Sequence, residues 1–186
     1  MARKPMPPHA RMVFKGQIFE VWQWEQELYD GKTALFERLR RPDTAIIIPI
    51  VDGKILISDE EQPDVTPFMC VPSGRIEAGE DPLEGAKREL LEETGYVSDD
   101  WELVTEQRPS GKVEWSIFVY IARGCRRIAE QSLDGGEKIT SRLVTFDEFL
   151  MLSDDPNFRS HEIIDMLLRA RIDPEKRSAL KDRLGC

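Results

Sequence analysis

The sequence has few of the residues that build disulfide frameworks or thiolate and imidazole metal sites. Its three cysteines, Cys70, Cys125 and Cys186, are odd in number and show no CxxC spacing. This argues against a disulfide framework and against a zinc site, and we expect free thiols in a reducing compartment. The two histidines, His9 and His161, lie too far apart in sequence to suggest a metal-binding pair.

A long apolar run and an excess of basic residues are also missing. The longest apolar run, residues 45–51, is too short to cross a bilayer. Residues 1–11 are basic and proline-containing but no apolar signal core follows them, so we expect a mobile arm and a cytoplasmic protein. The net charge of -9 argues against binding to nucleic acid or to an anionic membrane.

Alternating apolar and polar residues predict strands in the first part of the chain. Residues 12–27 and 32–41 are predicted to form an antiparallel hairpin, because Asp30-Gly31 is a turn signal. The run from Ala45 to Ile48 predicts a strand buried on both faces. A second hairpin would turn at Asp52-Gly53, and further strands are predicted over residues 101–107, 113–122 and 138–145.

The last part of the chain predicts helices over residues 146–152, 158–171 and 174–183. Thr145 and Glu148 form a capping-box pattern at the first of these. Because strands lie on both sides of one central helix and further helices end the chain, we expect an α/β sandwich with a mixed sheet.

The central helix is predicted from Pro82 to Thr94, in a segment rich in acids. Asp81 is a suitable N-cap, Glu84 can close a capping box back to it, and Gly95 fits the residue after the helix. One face of this helix is apolar and would pack on the sheet.

An adjacent face of the helix carries Glu89, Glu92 and Glu93. Like charges four residues apart destabilise an isolated helix by ~0.2–0.5 kcal/mol per pair. Such a face is either tolerated in solvent or occupied by a cation. The turn between Gly74 and Gly79 could bring the backbone close to these acids, and oxygen ligands of this kind suit Mg²⁺.

The spacing of this segment resembles the Nudix box, G-x5-E-x7-R-E-U-x-E-E-x-G-U, where U is a bulky aliphatic residue. Gly74, Glu80 and the run from Arg88 to Gly95 fill every fixed position, and only the last position differs, with Tyr96. Residues 12–152 resemble ADP-ribose and nucleoside-diphosphate-sugar pyrophosphatases in the order of their motifs. The resemblance implies a Nudix-type α/β/α sandwich with a mixed β-sheet and an N-terminal antiparallel β extension.

The resemblance also implies a Mg²⁺ site, with Mn²⁺ possible, and assigns its residues. The metal ligands would be the Ser73 carbonyl and the carboxylates of Glu89, Glu92, Glu93 and Glu137. Arg88 would pair with a box glutamate, and the catalytic set would be Arg88, Glu92, Glu93 and Glu137. The general base stays open between Glu137, Asp134 and a box glutamate.

Substrate binding is expected in the N-terminal part. The resemblance divides the chain into an arm (1–11), a β-hairpin for dimerisation and substrate (12–43) and a catalytic domain (44–186). Trp22 and Trp24 would either stack on the base across a homodimer or pack within it. Asp64 stands where relatives specific for ADP-ribose carry a phosphate-binding arginine. Arg38, Arg40 and Arg41 either supply that charge, with Arg40 and Arg41 as the predicted substrate-binding residues, or form a charged strand end.

The implied reaction is hydrolysis of the diphosphate linkage of a nucleoside diphosphate sugar, either ADP-ribose or an NDP-hexose. The products would be a nucleoside monophosphate and a sugar phosphate. Two alternatives are a nucleotide-sensing regulator that keeps the fold and an RNA 5′-pyrophosphohydrolase. The first would bind without forming product, and the second would release pyrophosphate from 5′-triphosphate RNA.

Overall fold

The computed structural model describes residues 5–133 and 135–186, so part of the predicted arm and the candidate base Asp134 lie outside the described residues. The elements are β1 (Arg11–Lys15), β2 (Glu20–Glu27), β3 (Thr33–Arg40), β4 (Thr44–Val51), β5 (Lys54–Gln62), β6 (Val65–Cys70), β7 (Ser73–Arg75), α1 (Pro82–Thr94), β8 (Tyr96–Val97), β9 (Asp100–Gln107), β10 (Val113–Glu114), β11 (Ile117–Arg123), β12 (Arg126–Arg127), β13 (Lys138–Val144), α2 (Phe146–Met151), α3 (His161–Ile172) and α4 (Pro174–Leu184).

The main sheet is mixed and lies between two helical layers. Its strand order is β13-β5-β4-β11-β9, with β6 beside β5 and β7 beside β4. The β4–β11 pair is parallel, whereas β5 is antiparallel to both β4 and β13. Ile46 and Ile48 pack with residues of α2, α3 and α4, and Ile47 packs with Leu90 of α1. The predicted sandwich and its doubly buried strand are confirmed.

The N-terminal strands form a second sheet of order β1-β2-β3-β10. The prediction of one strand over residues 12–27 was wrong, because the chain turns between β1 and β2. The backbone N–H of Gly16 donates to the carbonyl of Phe19 at 2.8 Å, which closes that turn. The β2–β3 hairpin is antiparallel, as predicted.

The predicted strand over residues 113–122 is divided in two. Val113 and Glu114 pair with β3 of the N-terminal sheet, and Ile117 onward pairs with β4 of the main sheet. Between them, the backbone N–H of Ser116 donates to Asp43 Oδ1 at 2.6 Å. This crossing holds the two sheets against each other.

The helix limits follow the capping residues. Asp81 accepts hydrogen bonds from the N–H groups of Leu83 and Glu84, and Gly95 ends α1 with φ 74°. Glu84 does not close the predicted box, because its carboxylate binds Lys87 at 2.8 Å. The Thr145–Glu148 capping box is present in α2, but α3 begins at His161, later than predicted. No helix in the described part of the chain is long and apolar enough to span a membrane.

Candidate active site

A cleft of about 800 Å³ opens where α1 meets β7 and the loop before β13. It brings together most of the residues predicted for the site, namely Arg41, Ser73, Arg88, Glu89, Glu92, Glu93 and Glu137. Residues from four separate stretches of sequence meet here because α1 packs on β4 and β7.

Glu93 is the most deeply buried carboxylate of α1, at 7% exposure. The backbone N–H of Ser73 donates to its Oε2 at 3.0 Å, which links the helix to β7. The pKa of Glu93 is raised well above its ordinary value, first by burial and then by the charges of Glu60 and Glu89. A nearby cation would stabilise the charged form of this buried carboxylate.

Arg88 organises the acids on the outer side of the helix. Its guanidinium donates to Glu89 at 2.7 Å, to Glu92 at 2.9 Å and to Glu80 at 3.0 and 3.1 Å. It also donates to the carbonyl of Arg75 at 2.8 Å. The planar guanidinium of arginine can donate to several acceptors at once. Arg88 alone therefore holds three acids and the loop before the helix in place.

Gly74 lies directly against the carboxylate of Glu89. A Cβ added at Gly74 would overlap all three atoms of the Glu89 carboxylate group. Burial raises the pKa of Glu89, and the hydrogen bond from Arg88 opposes that shift. The first glycine of the box is therefore needed for space, since the backbone approaches the acid closely.

Glu60 is a carboxylate of this region that the sequence analysis overlooked. It lies on β5, is 7% exposed, and accepts a hydrogen bond from the Cys70 thiol at 2.8 Å. Burial raises its pKa, the thiol hydrogen bond lowers it, and the charge of Glu137 raises it further. Strand alternation was the available signal, because Glu60 shares a face with the apolar Leu56, which the structure buries.

The donor set fits a hard divalent cation, because it consists of carboxylate oxygens and one of its acids, Glu93, is buried. In the described residues, no three side chains of His, Cys, Asp or Glu stand close enough together to hold an ion as they are. Glu89 and Glu92 are instead turned to Arg88. Each of these two acids gives Arg88 one carboxylate oxygen, which leaves its other oxygen for a cation.

Arg41 supplies positive charge to the lining of the cleft that also contains the acids. Its Nε is buried and has no hydrogen-bond partner among the described residues. The guanidinium lies over the ring of Trp115, 4.3 Å from the centroid. Burial and the neighbouring charge of Arg75 lower the pKa of Arg41. An arginine held in this way is suited to an anionic ligand.

The other predicted substrate residues lie outside the main cleft. Arg40 lines an adjoining cavity of about 580 Å³ and covers the ring of Trp22 at 4.7 Å. Trp22 Nε1 donates to Glu20 at 2.9 Å. Trp24 is buried at 7% exposure and packs beside Phe36. Within one chain, neither tryptophan lines the cleft.

Glu137 is exposed and lines the cleft from the residue before β13. The loop that precedes it is tied to α1, because the backbone N–H of Ser132 donates to the carbonyl of Glu92 at 2.8 Å. Its charge contributes to the raised pKa values of Glu89 and Glu93. This places Glu137 near the acids of α1.

The chain belongs to the NUDIX family, since the family model described as NUDIX domain matches residues 40–166. The chain is similar to three characterised relatives. They are the methanol dehydrogenase activator of Bacillus methanolicus (30% identity over 145 residues, 76% of this chain and 78% of the relative), the ADP-ribose pyrophosphatase of Bacillus subtilis strain 168 (28% over 144 residues, 75% and 78%) and the ADP compounds hydrolase NudE of Escherichia coli strain K12 (29% over 101 residues, 53% and 54%).

A solved structure titled as an ADP compounds hydrolase matches the fold, with a TM-score of 0.72 and 21% identity. The match covers 92% of this chain and 94% of the solved chain. The fold predicted from the sequence and the resemblance to the Nudix box are both confirmed. Family and relatives together make the chain a Nudix pyrophosphohydrolase.

Proposed function

We propose that the protein hydrolyses the diphosphate linkage of a nucleoside diphosphate sugar in a reaction that depends on Mg²⁺, for which Mn²⁺ can substitute. The observation that carries the proposal is that one cleft contains both a group of acids and an arginine. Glu89, Glu92 and Glu93 line this cleft together with Arg41, which has a buried donor without a partner among the described residues. A diphosphate is an anion that a cation and an arginine can hold together.

The box acids and the Ser73 carbonyl would hold the cation, which when bound neutralises phosphoryl charge and activates water. Glu93 would be the central ligand, because it is buried and fixed by the Ser73 N–H. Arg88 would orient Glu89 and Glu92 through its present hydrogen bonds. Arg41 would bind the diphosphate.

Water would add to one phosphorus, and the bridging oxygen would leave with the other phosphate. Glu137 is the candidate general base that the geometry supports best among the described residues, because it lines the cleft and is exposed to solvent. A box glutamate stays an alternative, and Asp134 lies outside the described residues. The proton of the attacking water would pass to this base.

The names of two relatives support ADP-ribose or a related ADP compound as the substrate. An NDP-hexose stays the alternative, since the arginine expected after Gln62 is replaced by Asp64. The experiment is a panel of ADP-ribose, ADP-hexose and GDP-hexose with Mg²⁺ and with Mn²⁺, with nucleoside monophosphate and sugar phosphate quantified separately. Absence of turnover across the panel would reject the proposal.

We also infer a homodimer formed through the N-terminal sheet. Met12, Val13 and Phe14 of β1 are 46%, 54% and 58% exposed, a run of apolar residues that monomers rarely leave in water. In a dimer, Trp22 or Trp24 could approach the cleft of the partner or pack at the interface. A cytoplasmic location and the absence of a nucleic-acid partner stay predictions.

Regulation of another protein is a second candidate function, favoured by the name of the Bacillus methanolicus relative. The two functions differ in their product. A regulator that only senses a nucleotide would bind ADP-ribose in calorimetry, and chromatography of the same sample would recover the ligand intact. Product formation in that sample would exclude a purely sensing role.

A further inference from the structure

Glu60 lies outside the Nudix box but belongs to the same face of the sheet as its helix. On β5, Leu56, Ser58 and Glu60 alternate onto one face. That face is turned to α1, because Leu56 packs in the cluster that contains Leu90. Glu60 does not line the cleft itself but lines a separate cavity of about 240 Å³, and its charge acts on Glu93.

Glu60 is buried without the partner that a buried carboxylate usually has. Among residues 5–133 and 135–186, no lysine or arginine forms an ion pair with it, and its hydrogen bond comes from the Cys70 thiol at 2.8 Å. A thiol is a weak donor. Burying a carboxylate costs several kcal/mol unless a cation or strong hydrogen bonds compensate.

A second buried group beside Glu60 also lacks a partner. The hydroxyl of Ser58, on the same face two residues earlier, is fully buried and has no hydrogen-bond partner in the described residues. Buried hydroxyls without a partner are rare in native proteins. Within the described part of the chain, Ser58, a hydroxyl without a hydrogen-bond partner, and Glu60, a carboxylate without an ion pair, lie on one face of β5. Together they indicate that a polar ligand binds nearby.

The charge of Glu60 reaches the acids of the site. It contributes to the raised pKa of Glu93 more than Glu89 does, although Glu89 lies one turn away on the same helix. Glu137 in turn acts on Glu60. A cation among these three carboxylates, which come from α1, β5 and the residue before β13, would relieve their mutual repulsion.

We propose that Glu60 is a further carboxylate of the metal centre, raising the affinity of the site for a divalent cation, with Cys70 as its positioning residue. This rests on the proposed function, since the cation is the one required there. Burial raises the pKa of the Cys70 thiol, so the thiol stays protonated and keeps donating to Glu60.

The test is Mn²⁺ binding to the whole protein, measured by electron paramagnetic resonance and calorimetry. Glu60→Gln should weaken Mn²⁺ binding about tenfold, while its melting temperature without metal stays equal or rises because a buried charge is removed. The matched control is Glu61→Gln, since Glu61 is exposed and paired with Lys138. Its Mn²⁺ affinity should not change, and equal affinity in Glu60→Gln would overturn the proposal.

A pair of substitutions at Cys70 tests the same idea if Glu60→Gln folds poorly. Cys70→Ser keeps a donor and should keep the Mn²⁺ affinity, whereas Cys70→Ala should lower it about threefold. Equal affinities in both would contradict the positioning role. If the wild type hydrolyses its substrate and binds Mn²⁺ but neither Glu60 nor Cys70 affects binding, only this inference fails. If the wild type binds no Mn²⁺, the proposed function fails as well.

Discussion

At the scale of single residues, the fixed positions of the Nudix box meet steric and electrostatic requirements. Gly74 is needed because the carboxylate of Glu89 occupies the space of a side chain. Arg88 is needed because it holds three acids at once. The sequence predicted these residues from their spacing, but it missed Glu60, whose burial depends on the register of β5 against β6 and β13.

Gly74→Ala should lower the free energy of unfolding by about 1 kcal/mol, because the new methyl group displaces the Glu89 carboxylate from its hydrogen bond with Arg88. Urea unfolding measures this change. Gly111→Ala is the control, since a Cβ there meets nothing within 4 Å, and it should stay within about 0.5 kcal/mol of the wild type. Equal stability of both variants would contradict the close approach.

At the scale of elements, local signals set the helix limits and tertiary contacts set the breaks in the strands. Asp81 and Gly95 predicted both ends of α1, and the structure agrees. Nothing local to residues 113–122 predicts that the strand changes sheets, because the cause is a hydrogen bond from Ser116 to the distant Asp43. The late start of α3 has a similar cause, since the N–H of Arg159 donates to the carbonyl of Met69 on β6.

Thr145→Val should destabilise the protein by about 1 kcal/mol through loss of the α2 cap. Urea unfolding of this variant is compared with Thr140→Val, at an exposed threonine in β13 that caps no helix, which should change little. A loss of stability equal to that of Thr140→Val would show that the cap contributes nothing.

The same cap gives a pH dependence with a defined sign. Hydrogen bonds from the backbone and then the side chain of Thr145 hold the pKa of Glu148 below its ordinary value. The stabilisation by Glu148 is therefore present above that ordinary value and is lost as the pH falls through the lowered one. An NMR titration of Thr145→Val should show the pKa of Glu148 moving upward, and an unchanged pKa would contradict the hydroxyl contribution.

At the scale of the whole molecule, the two sheets differ in what they contribute to the site and to the surface. The main sheet carries α1 and the cleft, and the N-terminal sheet leaves apolar residues of β1 in solvent. The sequence predicted the sandwich. It did not predict the position of Trp22 and Trp24 relative to the cleft, because that position depends on how the two sheets pack and, in our proposal, on how two chains associate.

Phe14→Asp should shift the protein from dimer to monomer, since it places a charge in the proposed apolar interface. Light scattering coupled to size-exclusion chromatography measures the mass. Tyr29→Asp is the control, because Tyr29 is fully exposed at the β2–β3 turn and should leave the mass unchanged. A wild type that elutes with the mass of one chain would contradict the dimer.

The central claim is that the buried carboxylate of α1 holds the divalent cation on which hydrolysis of the diphosphate depends. The most direct measurement is the rate of AMP formation from ADP-ribose at saturating Mg²⁺ for the wild type and for Glu93→Gln, both shown to be folded. The account predicts a loss of about 100-fold or more in Glu93→Gln. A Glu93→Gln variant that turns over at the wild-type rate would contradict it.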